Sequence, residues 1–137
     1  MKAVMSIGNP LKSDDNIGNI ILEKLDIKNI IKLRGGITPE NFIDKLKDCN
    51  EIIILDALEF EGEIGEVRFF ELNDIKSDLA STHNIPINLF QKFLPNSKIR
   101  IIGIKPKKID IGTELSKELQ EKIGEISEKV KEIINSL

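Results

Sequence analysis

Four consecutive aliphatic residues, Ile52-Ile53-Ile54-Leu55, run directly into Asp56. Side chains alternate across a strand, so an unbroken aliphatic run is buried only if both faces of its sheet are covered. Helices packed on either side of a parallel sheet meet that condition. An ionised carboxylate ending such a run is costly unless it is paired or lies at the sheet edge. Ligand sites of α/β sheets lie outside the carboxyl ends of the strands. Asp56 is therefore either a site residue or a paired strand terminus.

The remaining pattern supports the same class. Residues 2–7 read as a buried strand that stops at Gly8-Asn9-Pro10. From Ile17, apolar residues recur at Ile20, Ile21 and Leu25, which is one helix face, and Asp15 or Asn16 can cap it. A second strand is expected at 29–33, closed by Arg34-Gly35-Gly36. Thr38 as cap and Pro39 at the first helical position open a helix with a Phe42, Ile43 and Leu46 stripe. Residues 66–72 alternate like an edge strand, and 73–84 are polar and irregular. Pro86 can start a short helix, 98–104 form a last strand, and a long amphipathic helix runs from Thr113 to the end. The alternation predicts a single three-layer α/β/α domain over 1–137, with a roughly five-stranded, mostly parallel twisted sheet.

Composition narrows the partners. A net charge of −3 without a basic block, and aromatics limited to Phe, give no phosphate-neutralising patch and no stacking platform for nucleic acid. No apolar run approaches the roughly 18 residues of a membrane helix, and the chain opens on a strand rather than a leader. The lone Cys49 precludes an internal disulfide, so the expected compartment is the cytoplasm. Cys49 sits between a helix-like segment and a strand, which suits a boundary residue better than a nucleophile.

The chemistry gathers at strand ends. The run Gly8-Asn9-Pro10-Leu11-Lys12-Ser13-Asp14-Asp15 puts two acids between a strand and a helix, and Ser81-Thr82-His83-Asn84 carries the only histidine. Asp15, Asp56 and His83 would form a two-carboxylate, one-imidazole set suited to zinc, nickel, cobalt or cadmium. Three protein ligands leave open positions, and the imidazole must be neutral to bind, so occupancy should fall as pH drops through the histidine range. Each residue has a plainer role open to it: Asp15 as a helix cap, Asp56 as a paired strand end, His83 as a loop residue. The glycine patterns of phosphate-binding loops are missing.

Gly8-Asn9-Pro10-Leu11 followed by Asp14-Asp15, Gly35-Gly36 followed by Pro39-Glu40-Asn41, Leu55-Asp56-Ala57, Thr82-His83-Asn84 and Gly103-Ile104-Lys105-Pro106 occur in this order. Together they resemble the maturation endopeptidases of nickel–iron hydrogenases, across nearly the whole chain. The resemblance implies a protease that removes a C-terminal extension from the hydrogenase large-subunit precursor after nickel insertion; a monomer is the expected state. It implies Asp15, Asp56 and His83 as the residues that read the nickel, a metal carried by the precursor for which zinc or cadmium can substitute. Asp15 and Asp56 are also the candidate catalytic acids. Two mechanisms stay open: water attack assisted by Asp15 or Asp56, or a metal that only anchors the precursor while an acid acts as base.

One departure is Asn16, where the family usually has glycine; a left-handed turn there is tolerated by asparagine. Two rival readings remain. A receiver-like phospho-acceptor domain would use Asp14, Asp15, Asp56 and Lys105, and an interaction module would use the polar cluster only as caps.

Overall fold

A computed structural model describes residues 1–72 and 87–137. In chain order the elements are β1 (Lys2–Ile7), a 3-10 turn (Ser13–Asn16), α1 (Ile17–Lys24), β2 (Ile30–Gly36), a second 3-10 turn (Pro39–Phe42) and α2 (Ile43–Leu46). They continue with β3 (Glu51–Ala57), β4 (Val67–Glu71), α3 (Ile87–Phe93), β5 (Lys98–Ile104) and α4 (Lys117–Asn135). The five strands form one sheet in the order β2-β1-β3-β5-β4. All pairings are parallel except that of β4, which runs antiparallel to β5 at one edge.

The aliphatic run of β3 occupies the centre of this sheet, and its side chains divide between two cores. Ile53 and Leu55 join Val4, Ile102 and Ile104 against α1 and α4, through Ile17, Ile21, Leu119, Ile126, Val130 and Ile134. Ile52 and Ile54 join Ala3, Met5, Ile99 and Ile101 on the opposite face, under Leu46 of α2 and Phe90 of α3. Residues Ile52 to Leu55 are at most 1% exposed, and each such side chain contributes roughly 2 kcal/mol of burial. This is the covered, mostly parallel sheet that the sequence calls for.

Three boundaries differ from the sequence reading. β2 runs on through Arg34 and Gly36, because Gly35 lets the strand press against Ser6: a Cβ there would lie 2.6 Å from the Ser6 carbonyl oxygen. A register irregularity between Ser6 and Ile7 accommodates the glycine pair. The segment after Thr38 is a 3-10 turn followed by only four α-helical residues, and Thr38 makes no side-chain cap. The last helix begins at Lys117 rather than Thr113, where the Ser116 hydroxyl accepts from the Leu119 amide.

Two helical glycines respond oppositely to substitution. A Cβ on Gly18 in α1 would lie 2.6 Å from the Leu55 carbonyl oxygen and 3.0 Å from that of Ile7. Both obstacles are backbone, so Gly18→Ala is expected to destabilise by about 2 kcal/mol. A Cβ on the exposed Gly124 in α4 would meet nothing within 4 Å. Gly124→Ala is therefore expected to stabilise by about 0.5–1 kcal/mol. Urea unfolding of both variants checks the signs; a common sign for the two would contradict the packing of α1 on the strand ends.

Candidate active site

Strands β1, β2, β3 and β5 are parallel, so the connections that follow them meet at one edge of the sheet. The connection after β1 begins with the Gly8 amide donating to the Gly36 carbonyl at 3.0 Å, which ties the ends of β1 and β2 together. A Cβ on Gly8 would strike the Asp15 carbonyl, so the turn needs a glycine for this close approach. The chain then folds over itself. Asn9 Oδ1 accepts from the Leu11 amide at 2.9 Å, and the Asn9 carbonyl accepts from the Lys12 amide at 3.1 Å. Ser13 adopts a positive φ of 50°, which turns the backbone into the 3-10 segment.

The two adjacent acids have separate tasks. Asp14 is fully buried, and its carboxylate accepts from the amides of Lys107 (2.8 Å), Lys108 (3.1 Å) and Ser116 (2.6 Å) and from the Ser116 hydroxyl (2.8 Å). Its own amide donates back to the Lys108 carbonyl at 3.1 Å. Three amides and a hydroxyl compensate the desolvation of a buried carboxylate. The neighbouring Ser13 amide donates to Gly112 and the Gly112 amide to Leu11, each at 2.9 Å, so the 105–116 connection is clamped along the whole turn.

Asp15, 1% exposed, faces the other way. Its Oδ2 accepts from the Asn9 amide at 2.9 Å, across the turn that follows β1. Asn16 is the residue that precedes α1, and neither it nor Asp15 caps the helix through its side chain. The capping role for Asp15 is therefore not the one the structure shows. Asn16 itself has φ −84°, so the left-handed turn expected at this position does not occur; Ser13 supplies the positive φ instead.

Asp56 is fully buried near the end of β3, on the same face as Ile52 and Ile54. It stands in register with Gly103 of β5. The space a side chain at Gly103 would need is filled by Leu58, whose Cδ1 would lie 2.6 Å from an added Cβ. Asp56 is thus walled on the β5 side by backbone and a leucine. The 3-10 turn bearing Asp15 packs on β3, and α1 rests through Gly18 on the carbonyls of Leu55 and Ile7. Asp15, in the turn after β1, and Asp56, near the end of β3, accordingly share one edge of the sheet. His83, the third member of the proposed set, lies outside the described residues; among those residues no group of three acid, cysteine or histidine side chains gathers to hold a metal.

A polar hub here has only a faint sequence signal. Asn19, 1% exposed, accepts from the Ser6 hydroxyl at 2.7 Å. It donates to the Gly8 carbonyl at 3.0 Å and to Asn16 Oδ1 at 2.8 Å. An amide one turn from Asn16, on the apolar side of α1, is the only trace it leaves in the sequence. Cys49 precedes β3 and so lies at the opposite edge, roughly 20 Å from Asp56 by strand rise. Burial pushes its thiol upward, which suits a packed boundary residue and not a nucleophile.

The receiver-like alternative loses its parts. Asp14 is engaged by the 105–116 connection, and Lys105 Nζ pairs with Glu59 at 2.7 Å above the Phe60 ring. The sheet order also places β5 inside, beside an antiparallel β4, where a receiver-type fold continues in sequence order.

Comparison with known proteins agrees with this architecture. The family model described as hydrogenase maturation protease, HycI, matches residues 21–134. A Methanocaldococcus jannaschii protein carrying the name of hydrogenase maturation protease is 34% identical over 78% of this chain and 73% of its own length. The crystal structure of HycI, a nickel–iron hydrogenase maturation protease from Thermococcus kodakarensis, superposes with a TM-score of 0.79 at 24% identity, covering 98% of this chain and 92% of that one. The hydrogenase-maturating endopeptidase HybD of Escherichia coli gives 0.78 at 19% identity, covering 99% and 93%. The two structures speak for the fold; the family model and the M. jannaschii protein speak for the family. The chain belongs to the hydrogenase maturation protease family.

The clamp makes a direct prediction. Asp14→Ala strands three amides and a hydroxyl without their acceptor, and the expected loss is about 3 kcal/mol or more. Chemical denaturation measures it. A loss below about 1 kcal/mol would mean that the turn and the 105–116 connection hold together without the carboxylate.

Proposed function

We propose that this member of the hydrogenase maturation protease family is an endopeptidase acting on the large-subunit precursor of a nickel–iron hydrogenase. It removes the C-terminal extension of the precursor once nickel has been inserted. In this reading Asp15, Asp56 and His83 contact the nickel that the precursor carries, so the metal is part of the substrate. The observation that carries the reading is the pair of carboxylates, at most 1% exposed, one in the turn that follows β1 and one near the end of the adjacent strand β3, at the carboxyl edge of the sheet. Two carboxylates with an imidazole are a donor set that fits a borderline divalent ion. The Asn9 amide orients the Asp15 carboxylate toward the turn after β1, which keeps one acid fixed while substrate approaches.

Hydrolysis of a peptide bond needs a base to take a proton from the attacking water. Asp15 or Asp56 serves as that base, since Cys49 is on the far edge and the chain holds only one histidine. A loaded precursor brings its own positive charge to the two acids, and an unloaded one does not. That difference gives the enzyme a means of cutting only after metal insertion. The protein works as a monomer in the cytoplasm.

The test uses two precursor samples, one nickel-loaded and one nickel-free, followed by mass spectrometry of the products. Trimming of the loaded form alone is the expected result; equal trimming of both would remove nickel from the recognition step. Asp15→Asn, Asp56→Asn and His83→Ala should each lower the rate at least about a hundredfold, the usual contribution of a positioned acid or base. Asn at position 15 can still accept from the Asn9 amide, so its melting temperature should stay close to that of the parent protein. A variant that trims at the parent rate would eliminate its residue from the site.

A further inference from the structure

Four large aliphatic side chains are exposed on the connections that follow β1, β2 and β5: Leu11 at 63%, Ile37 at 59%, Ile109 at 37% and Ile111 at 91%. All three connections start at the same edge as Asp15 and Asp56. Among the described residues the other large exposed hydrophobics are Met1, Phe69 and Phe93, none of them in these connections. Exposed isoleucine and leucine have no solvation reason to collect there, and such groupings mark sites of interaction.

The loops that carry them are unusually well held. Leu11 and Ile111 flank the Lys12–Gly112 bridge, with backbone bonds of 2.9 Å on either side of it. The buried Asp14 carboxylate fastens the amides of Lys107 and Lys108 just ahead of Ile109. Ile37 follows Gly36, whose carbonyl is bound by the Gly8 amide. Apolar tips on a braced backbone bind a partner without first having to be ordered, which removes part of the entropic cost of association. Lys12 and Lys108 are exposed on the same loops and make no ion pair among the described residues.

From this juxtaposition we infer that Leu11, Ile37, Ile109 and Ile111 form a preorganised docking rim for the C-terminal segment of the precursor. Lys12 and Lys108 meet the carboxylate with which any C-terminal segment ends. The inference rests on the function proposed above and deepens it: the two acids act at the cut, and the rim takes the aliphatic side chains of the segment being removed. The occupant is an extended, aliphatic, carboxylate-ended stretch, since it must cross these loops to reach the sheet edge.

The double variant Leu11→Ser/Ile111→Ser removes apolar area without touching a buried group, and Phe93→Ser, a change at an exposed residue of α3, is its control. Binding is measured by surface plasmon resonance on immobilised nickel-free precursor, with and without its C-terminal extension. The double variant should bind the extended precursor about tenfold more weakly than the parent, and Phe93→Ser within about twofold. Deleting the extension should weaken the parent protein by a similar factor. Equal binding by parent and double variant, or binding indifferent to the extension, or none at all, would overturn the rim. A dimer that the double variant abolishes in sedimentation would assign the surface to a second copy and overturn it as well. On loaded precursor the same variant should raise KM with kcat little changed. A parent protein that binds in this extension-dependent way yet never trims would sink the protease reading and leave the rim standing.

Discussion

One buried carboxylate, Asp14, is the acceptor on which the carboxyl edge of this sheet is built. Three amides and one hydroxyl from residues 107–116 converge on it, while its own amide donates back to the same connection. A charge taken out of water survives only when its donors are supplied in place. Satisfying it fixes two loops that start from strands β1 and β5, neither of which pairs with the other. The Asp15 carboxylate, one residue on, takes its position from the turn so formed. The geometry of the reactive edge is thus inherited from an acid that faces away from it.

The sheet order explains why the turn after β1 and the end of β3 lie side by side. β1 and β3 pair directly, and α1, which leaves the β1 turn, lies across the ends of both strands through Gly18. No side chain fits between that helix and the two carbonyls, which makes the approach rigid. On the β5 side of Asp56 stands Gly103, with Leu58, two residues beyond Asp56, packed against it. The β3 acid therefore has an apolar wall on one side and the β1 turn on the other.

Much of this could be read from the sequence. The limits of β1 and β5 and the start of α1 follow directly from the aliphatic runs and the Gly-Asn-Pro break, because those signals are local. The end of β2 was not legible, since glycine pairs ordinarily stop a strand and only the proximity of Ser6 makes them continue it. The contrast between Asp14 and Asp15 was not legible either. Adjacent acids look alike in sequence, and the partners of Asp14 lie 93 to 102 residues away. Asn19 was hidden for the same reason: its hydrogen bonds reach back to β1 across a turn whose path no local pattern specifies. His83 falls outside the described residues, so its inclusion in the proposed set rests on the family resemblance and the donor chemistry.

The separation between Asp14 and its donors also bears on how the protein comes into being. As the chain leaves the ribosome, the turn carrying both acids emerges first and waits for a segment near the other end. Contacts of such long sequence separation close late in folding. Until residues 107–116 arrive, an unmatched carboxylate disfavours collapse of the N-terminal turn, so a half-made protein holds no assembled carboxyl edge. Assembly of that edge is in this way deferred until residues 107–116 have been made.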